Sequence, residues 1–302
     1  MNTAIIIAGP TAAGKTGLAI RLAQHFGTRI ISADSRQCYR ELSIGTAKPT
    51  PAQLAAVPHY FIDSHSIREQ VSAGIYERLA LGYAGEIFAR EPVAIVCGGT
   101  GLYIRAFAEG IDDMPPIPDA VRAAVRQAYA EKGLSWLQDR LRAQDPVFYA
   151  GAETENPHRL IRALEVLEAT GRSITAFRTA ATHPRHFRIL KIGITLPKPE
   201  LHANIHLRVD QMMAEGLVEE ARAVLPYRTH NALQTVGYQE MFAYLDGDIS
   251  LPEAIDQVKT HTRQYAKRQL TWFTRDPAFH WFDPREEAKI LAFITEQLAA
   301  SR

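Results

Sequence analysis

Near its N-terminus the chain carries a strand pattern, a glycine-rich loop and a helix pattern in direct succession, and this order constrains the fold most strongly. Residues Ala4–Ala8 (AIIIA) form a short, apolar, β-branched run, typical of a strand buried on both faces of a parallel sheet. Gly9–Thr16 (GPTAAGKT) match the phosphate-loop pattern G-x-x-x-x-G-K-[ST], and apolar residues at helical spacing follow. The sequence therefore predicts an α/β fold with a P-loop NTPase-like parallel sheet flanked by helices.

The residues of this loop predict a site for a phosphate or diphosphate. Glycines let successive N–H groups face one anion, and the N-terminus of the following helix adds partial positive charge. Lys15 supplies a cation, and the Thr16 hydroxyl is suited to hold Mg²⁺ against the phosphates. A chance glycine-rich turn would not explain the flanking strand and helix. The predicted diphosphate- or nucleotide-binding residues are Gly9, Pro10, Thr11, Ala12, Ala13, Gly14, Lys15 and Thr16.

Two further apolar runs predict buried strands, and their ends differ in chemistry. Arg29–Ala33 (RIISA) ends on Asp34, which we expect to adjoin the phosphate loop, because ligands of open α/β sheets bind beyond the carboxyl ends of the strands. The alternative is that Asp34 is a helix N-cap.

The second of these runs, Val93–Cys97 (VAIVC), is followed by glycines and Thr100. Nucleotide hydrolases with this loop place a Mg²⁺-binding acid at such a strand end, so hydrolase functions are disfavoured.

Composition and charge are those of an ordinary globular protein. The 302 residues are 46% hydrophobic and 22% charged, with a formal net charge of +1, so a nucleic-acid partner has to be met by local basic patches. The first apolar run lacks a preceding basic region and is too short to span a bilayer. We expect a cytoplasmic protein without membrane contact.

A change of character marks a predicted insertion into the sheet domain. Asp112–Asp119 (DDMPPIPD) holds three prolines and three acids, and a strand pattern resumes only at Arg188–Thr195. We therefore predict a core domain of residues 1–111 and 188–302, interrupted by an all-helical insertion domain of residues 112–187. Its predicted helices are Asp119–Lys132, Ser135–Arg142 and Pro157–Thr170.

Two basic stretches are open to two interpretations. Thr170–Pro199 contains arginines and lysines but no acid, which indicates a solvated linker or contacts to a phosphate backbone. Ile255–Phe273 mixes basic and aromatic residues, a pattern that suits nucleic acid and equally an amphipathic helix packed on the core.

Several motifs, in order and over nearly the whole chain, together resemble the bacterial tRNA dimethylallyltransferases (tRNA isopentenyltransferases). The phosphate loop alone is shared by a whole superfamily, but the set is specific. The matching segments are GPTAAGKT (9–16), ADSRQCY (33–39), SIGTAKP (43–49), GGTGLY (98–103), NPHRLIRALEV (156–166), RVDQMMAEGLVEE (208–220), TVGYQE (235–240) and THTRQYAKRQLTWF (260–273).

The resemblance implies a reaction and roles for residues. The family transfers a dimethylallyl group from dimethylallyl diphosphate to the exocyclic N6 amine of the adenosine 3′ of the anticodon, in tRNAs that read codons beginning with U. The phosphate loop with Lys15, Thr16 and Mg²⁺ is then expected to hold the diphosphate, although its pattern is that of an ATP site. Asp34 is expected to act as the general base, with Lys15, Thr100 and Arg208 as further catalytic residues.

The resemblance also implies contacts to the tRNA anticodon stem-loop, made by a monomer. The expected tRNA-binding residues are Asp34, Ser35, Arg36, Gln37, Thr100, Arg122, His158, Arg159, Leu160, Ile161, Arg162, Thr235, Gly237, Tyr238, Gln239 and Glu240.

Three other functions fit parts of the sequence. An isopentenyltransferase acting on free adenine nucleotide would not need the insertion, and a P-loop small-molecule kinase would transfer phosphate from ATP. A non-catalytic RNA-binding protein would not need an intact Lys15, Thr16 and Asp34.

Overall fold

The computed structural model describes residues 1–178 and 183–300, and the chain divides into two compact units. The core unit comprises Met1–Glu109 and Pro184–Arg302, and the helical unit comprises Gly110–His183. Residues 179–182 of the basic Thr170–Pro199 run lie outside the described residues.

The second boundary precedes the predicted one, because residues just after His183 already pack in the core unit. The Arg185 guanidinium donates hydrogen bonds to the Phe107 carbonyl (2.9 Å) and to the Glu77 carboxylate (2.6 Å). The Phe187 ring stacks on Phe107 with centroids 5.5 Å apart.

The described part of the core unit contains one parallel sheet of six strands in the order β3-β2-β4-β1-β5-β6. The strands are β1 (Thr3–Ala8), β2 (Ile30–Ser32), β3 (His59–Tyr60), β4 (Val93–Gly98), β5 (Arg188–Ile194) and β6 (Phe279–Phe282). The predicted α/β fold with a parallel sheet is confirmed, and β3 and β6 are the edge strands.

Helices cover both faces of the sheet and make up the helical unit. The α-helices are α1 (Lys15–His25), α2 (Pro51–Ala56), α3 (Ala73–Phe88), α4 (Gly101–Glu109), α5 (Asp119–Gln144), α6 (Pro146–Ala150), α7 (Pro157–Thr170), α8 (Lys198–Glu215), α9 (Leu217–Val224), α10 (Tyr238–Asp246), α11 (Leu251–Phe273) and α12 (Glu287–Ala299). Among the described residues, no helix has the length and apolar character needed to cross a bilayer.

The central strand β1 is buried on both faces, as its continuous apolar run predicts. Every residue from Ala4 to Ala8 is 0% exposed. Ile5 and Ile7 belong to the same apolar cluster as Leu18 and Leu22 of α1. Burial of this strand and of the first helix fixes both ends of the loop between them.

The helical unit has its own apolar core, and α5 and α7 cover the helices predicted there. α5 runs across a non-helical residue, Gly133 (φ 74°), which separates the two helices expected there. The Asn156 side chain caps α7, Pro157 occupies its first turn, and Gly171 closes it in the left-handed conformation (φ 66°). The core of this unit includes Leu137, Leu141, Leu160 and Leu164.

The position of β2 differs from the expectation that its end adjoins the phosphate loop. β4 lies between β1 and β2, so the end of β2 is one strand away from the loop that follows β1. A Cβ on Gly98, at the end of β4, would lie 2.2 Å from the carbonyl oxygen of Ala33. The glycine therefore permits the close approach of the two strand ends.

Gly98→Ala should destabilise the protein, because the new methyl group would collide with backbone. We expect a loss of about 2–3 kcal/mol in the free energy of unfolding. The matched control is Gly85→Ala, on an exposed face of α3, where a Cβ would meet nothing within 4 Å. That control should stabilise by about 0.5–1 kcal/mol through helix propensity. Urea denaturation of both variants measures the difference, and equal stabilities would contradict the close packing at Gly98.

Candidate active site

A cavity of about 460 Å³ opens at the carboxyl edge of the sheet, entirely within the core unit. The phosphate loop and the ends of β2 and β4 line it, together with residues of α8, α11, the loop around Gly45 and the chain around Thr235. Charged side chains that line it are Lys15, Asp34, Arg36, Arg208 and Arg268. Four cations and one carboxylate thus share one cavity.

The phosphate loop has the backbone that its glycines predict. Gly9 has φ 149°, and a Cβ there would lie 2.1 Å from the Ile194 carbonyl oxygen of β5. Gly14 adopts φ 87° and precedes the first residue of α1. The loop therefore turns tightly between β1 and α1, and the first helical N–H groups are available to an anion.

Lys15 reaches back over the loop into the cavity. Its ammonium group donates a hydrogen bond to the Pro10 carbonyl at 2.7 Å. The pKa of Lys15 is lowered to about 8, chiefly by burial and also by the neighbouring Arg208, whereas Cys97 and Asp34 act in the opposite direction. An arriving anion would restore the charged form, so this lysine is suited to binding a diphosphate.

Arg208 of α8 lies on the same side of the cavity as the loop. One of its guanidinium nitrogens is 3.3 Å from the Thr11 hydroxyl oxygen, to which it donates. Burial lowers the pKa of Arg208, although arginine keeps its charge at neutral pH. The residue is therefore placed as a second cation for the same anion.

Gln269 of α11 is a site residue that the sequence analysis missed. Its amide donates to the Gly99 carbonyl at 2.9 Å and accepts from the Thr11 N–H at 2.8 Å. The side chain is 6% exposed, and a Cβ on Gly99 would lie 2.1 Å from its nitrogen. Gln269 therefore ties the phosphate loop to the end of β4. The signal available in the sequence was its position in the motif at 260–273, which indicates no role by itself.

Asp34 lines the cavity just beyond β2, across the glycines that end β4. One carboxylate oxygen accepts the backbone N–H groups of Arg36 (2.8 Å) and Gln37 (3.3 Å). In the part of the chain that the structure describes, the second oxygen has no hydrogen-bond donor. Residues 35–38 form a turn and not a helix, so the helix N-cap alternative is wrong. One oxygen holds the turn, and the other is open to a ligand.

Thr100 holds the same turn from the side of β4. Its hydroxyl accepts the Ser35 N–H at 3.0 Å and donates to the Ser35 hydroxyl at 3.3 Å. It also makes a hydrogen bond with Tyr265, a second residue that the sequence analysis missed, whose pKa is raised to about 12 by burial and by Asp34. Thr100 therefore supports Asp34 through Ser35, and a direct contact to substrate stays a prediction.

The Thr235–Glu240 segment divides into exposed and buried members. Thr235, Gly237 and Gln239 line the cavity, as do Arg36 and Gln37. The side chains of the last two predicted tRNA contacts of this segment are buried. The Tyr238 side chain is 0% exposed, and its hydroxyl donates to Glu220 at 2.6 Å. Glu240 is 4% exposed and accepts the Gly237 N–H at 2.7 Å. These two side chains support the wall, and a tRNA contact at either residue stays a prediction.

The predicted contacts on α7 and α5 lie in the helical unit. His158 and Arg159 are exposed, whereas Ile161, Arg162 and Arg122 are half-buried. Arg159 pairs with Glu153 at 3.2 Å, and Arg162 pairs with the buried Glu165 at 3.5 Å. Leu160 is 0% exposed, and its side chain packs in the core of this unit. All members of this set stay predictions as tRNA contacts.

Comparison with known proteins decides the family. A family model described as IPP transferase matches residues 37–276 of this chain. The chain belongs to the tRNA dimethylallyltransferase family. It is 46% identical over 297 residues to tRNA dimethylallyltransferase 1 of Bacteroides thetaiotaomicron, covering 98% of this chain and 96% of the relative. It is also 46% identical to the tRNA dimethylallyltransferase of Cytophaga hutchinsonii, covering 97% of each chain.

Solved structures of the family share the fold. A full-length tRNA isopentenylpyrophosphate transferase from Bacillus halodurans superposes with a TM-score of 0.73 at 35% identity, covering 99% of this chain and 98% of the other. A eukaryotic dimethylallyltransferase acting on tRNA gives a TM-score of 0.82 at 23% identity, covering 100% of this chain and 80% of the other. The second likeness supports the fold alone.

Lys15 should make the binding of inorganic diphosphate depend on pH. A pKa of about 8 in the free protein means that the lysine is charged below that pH and loses its proton above it. Between about pH 7 and pH 9 we expect the affinity to fall by up to about tenfold relative to Lys15→Arg, which stays charged throughout. Calorimetric titration gives both affinities at each pH, and in their ratio the effect of the ligand's own ionisation cancels. A constant ratio of the two affinities would contradict the lowered pKa.

Proposed function

We propose that the protein transfers a dimethylallyl group from dimethylallyl diphosphate to the N6 amine of the adenosine 3′ of the anticodon, in tRNAs that read codons beginning with U. The observation that carries the proposal is the division of one cavity into two sides. A phosphate loop with Lys15 and Arg208 lies on one side, and the open oxygen of Asp34 faces the same space from the other. The relatives named tRNA dimethylallyltransferase support the same conclusion.

The loop side suits the diphosphate of the donor. Backbone N–H groups at the start of α1, Lys15 and Arg208 would bind its oxygens and stabilise the charge that develops as it leaves. The Thr16 hydroxyl lines the cavity and, within residues 1–178 and 183–300, makes no hydrogen bond to protein, so it can serve as an oxygen ligand for Mg²⁺. The metal would supply further neutralisation of the leaving group.

The Asp34 side suits the acceptor amine. The N6 nitrogen would attack C1 of the dimethylallyl group, forming the C–N bond while the C1–O bond breaks and diphosphate leaves with the electron pair. The nitrogen becomes cationic as the bond forms, and Asp34 would take its proton through the oxygen that has no donor in the described structure. Thr100 and Ser35 keep the turn that orients this carboxylate.

Contacts to the tRNA would come from both units. In the core unit, Arg36, Gln37 and Gln239 line the cavity and can bind the nucleotides that accompany the target base. In the helical unit, Arg159 and Arg162 belong to α7 and would bind phosphates. The target adenosine has to leave its stack to enter a cavity of this depth. We further propose that the protein acts in the cytoplasm as a monomer.

Mass spectrometry separates this function from its alternatives. The protein is incubated with dimethylallyl diphosphate, Mg²⁺ and an anticodon stem-loop RNA, and in parallel with free AMP or with ATP. We expect the RNA to gain the mass of one dimethylallyl group and the AMP to remain unchanged. Prenylated AMP alone would favour the enzyme that acts on free nucleotide, and a phosphorylated acceptor would favour a kinase.

Asp34→Asn should abolish transfer while leaving the RNA-bound state largely intact. The amide oxygen of asparagine can still accept the N–H groups of Arg36 and Gln37, so the turn is preserved, but the side chain cannot take a proton. We expect the single-turnover rate to fall by about 10²–10⁴-fold, the usual contribution of a general base. Affinity for the stem-loop, measured by filter binding, should change little. Comparable transfer by the variant would contradict the role of Asp34.

Arg162→Ala should weaken binding of the stem-loop, and the loss of affinity should be similar for RNAs of different sequence. Removal of one phosphate contact lowers the affinity. It also makes the plot of log association constant against log salt concentration less steep, by about 1 in slope. The matched control is Arg140→Ala, which removes an exposed arginine of the same unit that pairs with Glu168 at 3.0 Å. Salt titrations by fluorescence anisotropy should show the change for Arg162→Ala only. Equal slopes for wild type and variant would exclude this contact.

A further inference from the structure

The carboxylate of Glu220, on α9, lies behind the wall of the cavity and receives hydrogen bonds from four donors. One oxygen accepts the backbone N–H groups of Ser43 (2.8 Å) and Ile44 (2.8 Å). The other accepts the Gly45 N–H (2.9 Å) and the Tyr238 hydroxyl (2.6 Å). A single side chain thus joins the loop at 43–47 to the first residue of α10.

We propose that Glu220 is a positioning residue that holds the acceptor side of the cavity in shape for the RNA nucleotide. The inference rests on the proposed function and names a residue that controls how the acceptor, and not the donor, is bound.

The two segments that Glu220 joins are both part of the cavity wall. Gly45, Thr46 and Ala47 line the cavity from one segment, and Thr235 to Gly237 line it from the other. The segments are in contact where Gly45 has no side chain, since a Cβ there would lie 2.7 Å from the Tyr238 ring. Ala47 has φ 49°, a conformation that costs energy for a residue other than glycine and has to be held by its surroundings.

Both segments are also bonded to the turn that carries Asp34, which places this wall on the acceptor side. The Gln37 amide donates to the carbonyls of Thr46 (3.2 Å) and Ala47 (3.0 Å). The Arg36 guanidinium donates to the Gln234 carbonyl at 3.5 Å. The phosphate loop, in contrast, is held by Gln269 and by the strands on either side. A change at Glu220 should therefore reach Asp34 and the acceptor before it reaches the diphosphate.

The chemistry of the four donors requires a carboxylate. Three of them are backbone N–H groups that can only donate, and an ionised carboxylate offers acceptors on both oxygens. Burial and the adjacent Glu220 raise the pKa of Tyr238, so its hydroxyl keeps the proton that it donates. A glutamine in place of Glu220 would turn its NH₂ group toward at least one backbone N–H in either orientation of the amide. That N–H would lose its partner.

Glu220→Gln therefore tests the inference, with Glu219→Gln as the matched control, because Glu219 is the exposed neighbour on the same helix. For Glu220→Gln we expect kcat/KM for the stem-loop RNA to fall about tenfold, because at least one backbone N–H of the wall loses its hydrogen-bond partner. The KM for dimethylallyl diphosphate should stay within about twofold of wild type, since the described side chains that bond to the phosphate loop, Gln269, Asn204 and Arg208, lie outside this wall. Hydrogen exchange of the amides of residues 43–45 should become faster in Glu220→Gln and stay unchanged in Glu219→Gln.

If Glu220→Gln folds poorly, Tyr238→Phe provides a second test of the same inference. It removes one donor and leaves the three N–H groups paired, so a smaller loss in kcat/KM for RNA and a smaller rise in amide exchange are expected.

A general structural role would lower the active fraction and thus kcat, with an unchanged KM for RNA, and that result would overturn the inference. So would kinetics and exchange rates of Glu220→Gln equal to those of Glu219→Gln. A wild-type protein that transfers no prenyl group would instead contradict the proposed function itself.

Discussion

The close approach of two strand ends at Gly98 is the constraint on which the site depends. β4 separates the strand that carries the phosphate loop from the strand that carries Asp34. A side chain at the end of β4 would collide with the Ala33 carbonyl, and one at Gly99 would collide with Gln269. Since both positions are glycine, Lys15 and Asp34 line one cavity from either side of the end of β4. The glycines that end β4 thus do more than omit a metal-binding acid, because they let the Ala33 backbone and the Gln269 side chain pack directly against the end of this strand.

Hydrogen bonds from distant parts of the chain fix the two sides of this cavity separately. Gln269 of α11 joins the phosphate loop to the end of β4. Glu220 of α9 joins the loop at 43–47 to the start of α10, and Thr100 holds the Asp34 turn through Ser35. Each contact uses a side chain to satisfy backbone groups that no strand or helix pairs. The irregular segments can therefore keep one shape without regular secondary structure.

Much of the fold followed from local patterns in the sequence. The apolar run of β1, the glycine loop, and the Asn156, Pro157 and Gly171 end signals of α7 each fix local conformation, and each appears as expected. Asp34 was found because parallel strands present their carboxyl ends at one edge. The order of the strands was not available from such patterns, so the position of β4 between β1 and β2 emerged only from the structure.

The sequence did not reveal the roles of residues that act through tertiary contacts. Gln269 and Tyr265 lie far along the chain from the groups they hold, and nothing in their local sequence indicates those partners. Conversely, Leu160, Tyr238 and Glu240 were predicted to contact the tRNA because they belong to matching motifs, whereas their side chains are buried. A matching motif identifies a segment, and burial decides which of its side chains can reach a ligand.

The most direct test of the account is a crystal structure with a non-hydrolysable dimethylallyl diphosphate analogue and an anticodon stem-loop. The account predicts the diphosphate on the phosphate loop, in contact with Lys15 and Arg208. It also predicts the N6 amine of the target adenosine within about 3.2 Å of the free oxygen of Asp34. A diphosphate bound elsewhere, or an adenosine amine out of reach of Asp34, would contradict it.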